Sequence, residues 1–234
     1  MKIAVIIPAL NEAEALRRLL SATMEVCSQF DQVQVIVVDN GSSDSTADVA
    51  RRGGAIVIEE PRRGYGFACA AGLKAADSAD ILVFLDADFS FDPAEMPVLL
   101  EPILSQSADL VLGSRFLSGD QAVMPPHQRF GNWLTARLMH YLYALRLTDL
   151  GPYRAIRQEL LTELNMQEMT YGWPTEMIVK AARRGARILE KPVKYYPRIA
   201  GKSKVSGTIK GSVLAAYLIL STTFRYARSV EKPE

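Results

Sequence analysis

The chain has 234 residues, 49% hydrophobic and 23% charged, with 27 basic side chains against 26 acidic ones and a net charge of +1. That length is ample for a core and permits one large α/β domain or two small ones. The charge balance argues against a basic nucleic-acid binder. Two cysteines, Cys27 and Cys69, exclude a disulfide framework and a thiolate metal site; their helix-like surroundings mark them as small buried fillers, consistent with a reducing, cytoplasmic compartment.

Lys2 followed by IAVIIPAL has the charge and apolar run of a signal peptide, but Pro8 interrupts the run and Asn11-Glu12 end it. Ile3–Ile7 therefore reads as a buried first strand, and AEALRRLLSATMEV after it as a helix. Val33–Val38 is a second apolar run. It ends in Asp39-Asn40-Gly41-Ser42-Ser43-Asp44, a turn whose Ser and Asp residues are placed to cap a helix at Thr46–Arg52. Ala55–Ile58 is a short third strand, and Pro61-Arg62-Arg63-Gly64-Tyr65-Gly66 opens a helix that runs to about Ala76. Ile81–Leu85 is an unbroken apolar run, the pattern of a strand buried on both faces, and it leads straight into Asp86-Ala87-Asp88. Asp92-Pro93 caps a helix over Pro93–Leu104, and Leu110–Leu112 is a fifth strand ending in Gly113-Ser114-Arg115. Further on, Arg129–Leu147 is an amphipathic helix, Arg154–Arg157 a short strand and Gly172–Arg184 a helix closed by Gly185. Ile188–Glu190 and Val193–Tyr196 are predicted strands, Ile199–Gly207 a basic loop and Thr208–Arg228 a largely apolar last helix. No stretch approaches the ~18 uninterrupted apolar residues of a membrane span.

The alternation of strand and helix predicts a doubly wound, mostly parallel α/β sheet. Right-handed crossovers put the C-terminal ends of parallel strands on one edge, where open α/β sheets bind ligands. Pro8–Glu12, Asp39–Asp44, Asp86–Asp88 and Gly113–Arg115 are expected to converge there. Two carboxylates beside a buried strand are costly unless paired, hydrated or bound to a cation. With Asp92 serving as a cap, Asp86 and Asp88 are candidates for a divalent metal and its ligand. Two positions apart in extended backbone, their side chains lean to one side, and a hard cation commonly takes one or two carboxylates plus substrate phosphates.

A dinucleotide fold would want G-x-G-x-x-G after the first strand, where this chain has Pro8-Ala9-Leu10; the near match Gly64-x-Gly66-x-x-Cys69 follows the third strand. No P-loop motif occurs. Taken together, PALNEAEAL, VVDNGSSDST, RRGYGFACAAG, FLDADFSFDP and VLGSRF resemble glycosyltransferase family 2. More narrowly, they resemble its dolichyl- or polyprenyl-phosphate mannosyl- and glucosyltransferase-like branch, and the likeness continues through DLGPYRAIR, TYGWPTEM and the GKSKVSGT loop.

The resemblance implies a GT-A-type fold, a doubly wound, mostly parallel sheet with C-terminal helices. It implies inverting transfer of a hexose, mannose or glucose, from a nucleotide-diphospho-sugar to a polyprenyl or dolichyl phosphate, with Mg²⁺ or Mn²⁺ on Asp86 and Asp88. By the same resemblance Asp88 is the main metal ligand, and Asp86 and Ala87 face the nucleotide. Asp39 would bind the nucleobase, Pro8, Ala9, Leu10, Asn11 and Glu12 would surround base and ribose, and Gly64 and Gly66 would let backbone approach the ligand at a helix N-terminus. Arg198 and Lys204 would reach the diphosphate, Arg115 the sugar or an anionic acceptor. Glu176 is placed on the acceptor side, where a hydroxyl acceptor would need a general base; a lipid phosphate oxygen is already anionic and needs none. Structural alternatives stand beside these roles: Glu12 as a first-turn helix acid, Arg115 as a salt bridge to the acidic cluster, Lys204 as a solvated loop cation. Ser90 stands where many relatives carry Gln, and Asp149-Leu150-Gly151-Pro152-Tyr153 is a shortened form of a family segment. The functional alternatives are transfer to a hydroxyl, a sugar nucleotidyltransferase and a non-catalytic nucleotide-sugar-binding protein. Residues 1–207 are expected to form the transferase domain. Residues 208–234, an apolar helix and tail, are suited with Arg129–Leu147 to peripheral contact with the cytoplasmic membrane face.

Overall fold

A computed structural model describes residues 1–76, 78–119, 124–199 and 209–227. Its strands are β1 (Ile3–Ala9), β2 (Val33–Asp39), β3 (Ile56–Glu59), β4 (Ile81–Phe84), β5 (Leu110–Ser114), β6 (Arg154–Arg157) and β7 (Ile188–Pro192). They form one seven-stranded sheet in the order β3-β2-β1-β4-β6-β5-β7. Every neighbouring pair is parallel except those of β6, which runs antiparallel to both β4 and β5. The doubly wound, mostly parallel sheet expected from the sequence is thus present, with one inverted strand inserted where the crossover pattern changes.

The helices are α1 (Ala13–Cys27), α2 (Thr46–Arg52), α3 (Tyr65–Ala75), α4 (Met96–Leu104), α5 (Pro126–Tyr143), α6 (Gln158–Leu164), α7 (Trp173–Arg183) and α8 (Ile209–Ala227). The strand pleat divides the core between them. Val5, Ile7, Val35, Val37, Ile81 and Val83 point to the face covered by Leu16, Leu19 and Leu20 of α1 and Leu99, Leu100 and Ile103 of α4. Their sequence neighbours Ala4, Ile6, Ile36, Val38, Leu82 and Phe84 point the other way, onto Ala68 and Cys69 of α3 and Trp173, Met177 and Ile178 of α7. Central strands buried on both faces explain the continuous apolar runs, and each large aliphatic side chain so buried contributes about 1.5–3 kcal/mol. Cys27 and Cys69 are buried free thiols within this packing.

Four local expectations differ from the structure. The segment 193–196 is not a strand. β7 continues to Pro192 and Val193 N–H still donates to the Ser114 carbonyl of β5 (3.1 Å); beyond it Lys194 N–H donates to the Glu95 carboxylate (3.0 Å) and Tyr196 N–H to the Ser90 carbonyl (2.9 Å), so the ladder ends there. The amphipathic helix α5 ends at Tyr143 because Ala144 is left-handed (φ 55°). Pro93–Glu95 is a 3₁₀ turn ahead of α4, opened by Asp92, whose Oδ1 accepts from Ala94 N–H (2.9 Å). Helix α6 has no side-chain cap to announce it. No helix among the described residues is long and apolar enough to cross a membrane.

Candidate active site

In register, Ala9 lies beside Asp39, and Ile6 beside Phe84, so the chains leaving β1, β2 and β4 emerge together on one edge. A cavity of about 480 Å³ opens there. Pro8, Ala9, Leu10 and Glu12 form its floor from the β1 end, and Asp86, Ala87 and Asp88 enter from the β4 end. Arg63, Gly64, Tyr65 and Ala68 come from the start of α3, Thr170 and Tyr171 from the turn before α7, Arg198 from the chain after β7, and Leu214 and Leu218 from one face of α8.

The two carboxylates are held differently. Asp88 is buried; its Oδ1 accepts from Ser90 N–H (2.9 Å) and from the Ser90 hydroxyl, and its Oδ2 faces Arg198 Nη1 at 3.0 Å. Asp86 faces the cavity and accepts from the Tyr65 hydroxyl (3.3 Å). Burial, and then the charge of Asp88, push the Asp86 carboxyl up to about 7. Two hard oxygen donors, one strained by its neighbour's charge, fit a small divalent cation that completes its shell with phosphate and water. Asp88 and Asp86 would hold it. No cluster of three or more potential metal-ligating side chains occurs among the described residues.

Of the other candidate residues, some line this cavity and others do not. Glu12 lines the cavity and its Oε1 meets Arg198 Nη2. Asp39 stands on the same edge with Oδ1 accepting from Ser42 N–H (3.1 Å), and Asn11 turns its amide oxygen to Ser43 N–H (2.7 Å); neither belongs to the described cavity lining. Gly64 lines the cavity as the N-cap of α3, whereas Gly66 is turned into protein. A Cβ on Gly66 would lie 2.5 Å from both the Glu168 carbonyl oxygen and Met169 Cα, so its glycine serves the close packing of α3 on the 168–169 backbone. Gly66→Ala is expected to cost about 1–3 kcal/mol by overpacking, read as a lowered thermal midpoint. Gly131→Ala, with nothing within 4 Å of the new Cβ, should leave the midpoint unchanged or raise it. Lys204 lies outside the described residues.

Arg115 and Glu176 are not brought to the cavity lining. Arg115 makes a two-pronged ion pair with the fully buried Asp149, Nε to Oδ2 and Nη2 to Oδ1, both at 2.7 Å. Glu176 is also fully buried; it accepts from Gln167 N–H (2.9 Å), Glu168 N–H (2.7 Å), Lys180 Nζ (2.8 Å) and the Tyr226 hydroxyl. Burial pushes its carboxyl up, but the bonds from Lys180, Tyr226 and the two amides outweigh it and hold the group below the ordinary glutamate value. A carboxylate saturated with donors is a poor proton acceptor and a good anchor: Glu176 ties α7 and α8 to the 167–168 backbone, two residues before the cavity-lining Thr170. Of the two arginines opening α3, Arg62 pairs with Glu60 (2.7 Å) and Arg63 lines the cavity.

Comparison with known proteins gives the family of the chain. A model of glycosyl transferase family 2 matches residues 4–164, which carry both carboxylates and the ends of β1, β2, β4 and β5. The chain belongs to glycosyltransferase family 2. An uncharacterized glycosyltransferase of Mycobacterium tuberculosis is 39% identical over 217 residues, covering 91% of this chain and 94% of that one. The undecaprenyl-phosphate mannosyltransferase of Micrococcus luteus is 33% identical, with 92% and 91% covered. The dolichyl-phosphate hexose transferase of Haloferax volcanii is 32% identical, with 93% and 92% covered. Within the family the chain is therefore similar to the polyprenyl-phosphate branch that its motifs resemble. The fold is shared with a crystal structure of Mycobacterium tuberculosis glucosyl-3-phosphoglycerate synthase in complex with Mn²⁺, UDP and glucosyl-3-phosphoglycerate (TM-score 0.76, 23% identity, 97% of this chain and 80% of that one).

Several functional-site candidates escaped sequence reasoning. Asn40 lines the cavity while its amide bonds the Glu60 carbonyl (2.9 Å), the Arg62 carbonyl (2.6 Å) and Gly64 N–H (2.9 Å), stapling the β2 end to the start of α3. In the sequence it looks like half of an Asn-Gly turn. Leu214 and Leu218 are four apart on an apolar helix; that spacing names a shared face and leaves open what the face covers.

Proposed function

We propose that this family 2 enzyme transfers a hexose, mannose or glucose, with inversion, from a nucleotide-diphospho-sugar to a polyprenyl or dolichyl phosphate. The observation that carries the proposal is the single cavity in which Asp86, Asp88, Glu12 and Arg198 meet an apolar wall from α8. The nucleoside would lie along Pro8–Leu10, with Asp39 at the base and the backbone of Gly64 beside the ribose or phosphates. Asp88 and Asp86 would hold Mg²⁺ or Mn²⁺, which supplies charge neutralisation for the departing diphosphate. Arg198 offers a forked donor to phosphate oxygens. An acceptor phosphate oxygen, anionic at neutral pH, attacks the anomeric carbon from the face opposite the diphosphate. The new C–O bond forms as the old one breaks, the nucleoside diphosphate leaves with its electron pair, and the anomeric configuration inverts. No proton need be removed, which agrees with the engagement of Glu176 elsewhere.

A lipid-linked acceptor also accounts for the surface beside the cavity. α5 and α8 contain no Asp or Glu, although the chain has 26 acidic residues, and they carry Arg129, Arg137, Lys210 and Arg225. Phe130, Trp133, Tyr141 (86% exposed), Leu214, Tyr217 (67%) and Phe224 are among the exposed large apolar side chains. Exposed aromatic residues on helices whose sequence also carries basic residues suit peripheral binding to an anionic bilayer, here the cytoplasmic membrane face. In this assignment residues 1–207 are the transferase unit, and α8, within 208–234, contributes the acceptor-side wall through Leu214 and Leu218.

Incubation with GDP-mannose or UDP-glucose, Mn²⁺ or Mg²⁺, and undecaprenyl or dolichyl phosphate should yield a hexosyl lipid from one donor, with loss of product in EDTA and recovery on adding cation back. Product formed only on hydroxyl acceptors, or unchanged by EDTA, would overturn the corresponding half of the proposal.

A further inference from the structure

Asp88 enters the cavity with both oxygens engaged. Oδ1 is taken by Ser90, and Oδ2 by Arg198 Nη1 at 3.0 Å. The same guanidinium reaches Glu12 through Nη2, although 186 residues separate the two. Its Nε is buried and has no hydrogen-bond partner among the described residues. Arg198 thus splits its two end nitrogens between two different carboxylates and leaves its buried Nε unbonded, whereas Arg115 places Nε and Nη2 side by side on the one carboxylate of Asp149, which also receives its amide. A divalent cation on Asp88 would need an oxygen of the carboxylate whose outer lone pairs Arg198 occupies. Guanidinium and metal in contact with one oxygen would repel each other strongly in a partly buried site. Beyond Glu12, the guanidinium gains a further partner when a diphosphate is present, whose oxygens match its fork.

We propose that Arg198 is a displaceable counter-ion: it occupies Asp88 and Glu12 in the ligand-free protein and yields Asp88 to a divalent cation when a nucleotide diphosphate arrives to receive the guanidinium. Cation and nucleotide then bind as a coupled pair, each weakly alone. Such couplings are about 5–150-fold. The inference rests on the donor-side assignment of the same cavity and adds an order of events to it.

The test is Mn²⁺ titration of the purified full chain, with free Mn²⁺ followed by electron paramagnetic resonance, without nucleotide and with saturating UDP or GDP. Wild type should bind Mn²⁺ weakly alone and at least about tenfold more tightly with the matching nucleotide. Arg198→Gln should bind Mn²⁺ alone about tenfold or more tighter than wild type, and nucleotide should then add little. The double variant Arg198→Gln/Asp88→Asn should lose that gain, locating it at Asp88. Arg52→Gln, which removes the same charge from the exposed end of α2, should behave as wild type. Unchanged or weaker Mn²⁺ binding by Arg198→Gln alone, an undiminished nucleotide effect in it, or an equal gain in Arg52→Gln overturns the inference while leaving the donor site intact. Wild type that binds no Mn²⁺ with either nucleotide overturns both.

Discussion

Asp88→Asn is expected to lower kcat/KM for hexosyl transfer by about a thousandfold, the scale seen when a charge-stabilising group is removed from a reaction centre. The substitution is nearly isosteric. It keeps an oxygen to accept from Ser90 N–H, so the turn after β4 should survive. It removes the anionic charge of the carboxylate whose Oδ2 pairs with Arg198 Nη1, and with it one of the two hard-cation donors. Two measurements separate lost chemistry from lost fold. The thermal midpoint of the free protein should stay within a few degrees of wild type, and its rise on adding nucleotide with Mn²⁺ should disappear. A variant that retains transfer within about tenfold of wild type would remove Asp88 from the centre of the site.

The largest expected loss of stability comes from Asp149→Ala. Asp149 has no exposed surface, and Arg115 is about seven-eighths buried, its side chain 13% exposed. Removing the carboxylate strands a largely buried guanidinium that cannot deprotonate, a cost of about 3–5 kcal/mol. For a chain of this size that corresponds to a fall in thermal midpoint of about 10 °C. The loss should be disproportionate, because the same carboxylate also receives Arg115 N–H (2.9 Å) at the end of β5. Arg115→Met/Asp149→Leu, which removes both charges and fills the volume, should recover most of the midpoint. If Asp149→Ala melts within 2–3 °C of wild type, the pair is not the structural clasp its geometry indicates.

Much of the sheet was legible in the sequence, and for a simple reason. A strand buried on both faces must be apolar at every position, so Ile3–Ile7, Val33–Val38 and Ile81–Leu85 announce themselves without help from periodicity. Their parallel order followed from the helices between them, and the shared edge followed from the parallel order. The segment 193–196 reads as a strand because Val193, Tyr195 and Tyr196 have strand propensity, but past Val193, which still reaches Ser114 of β5, the donors of Lys194 and Tyr196 find Glu95 and Ser90 instead of a neighbouring strand. The wall made by Thr170, Tyr171, Leu214 and Leu218 was not legible, since each sits in a segment whose local pattern is satisfied equally well by ordinary packing.

By itself, the sequence determined the core strands, the edge on which their ends gather and the carboxylate pair Asp86 and Asp88, together with the resemblance to family 2. Only the tertiary structure decided which polar residues face the cavity and which face each other. Arg115 finds Asp149 across 34 residues, Glu176 finds Tyr226 across 50, and Arg198 finds Glu12 across 186. A charge brought into a low-dielectric interior is governed by whatever opposite charge or donor lies within a few ångströms, and that distance is set by the folded chain and has no signature in local spacing.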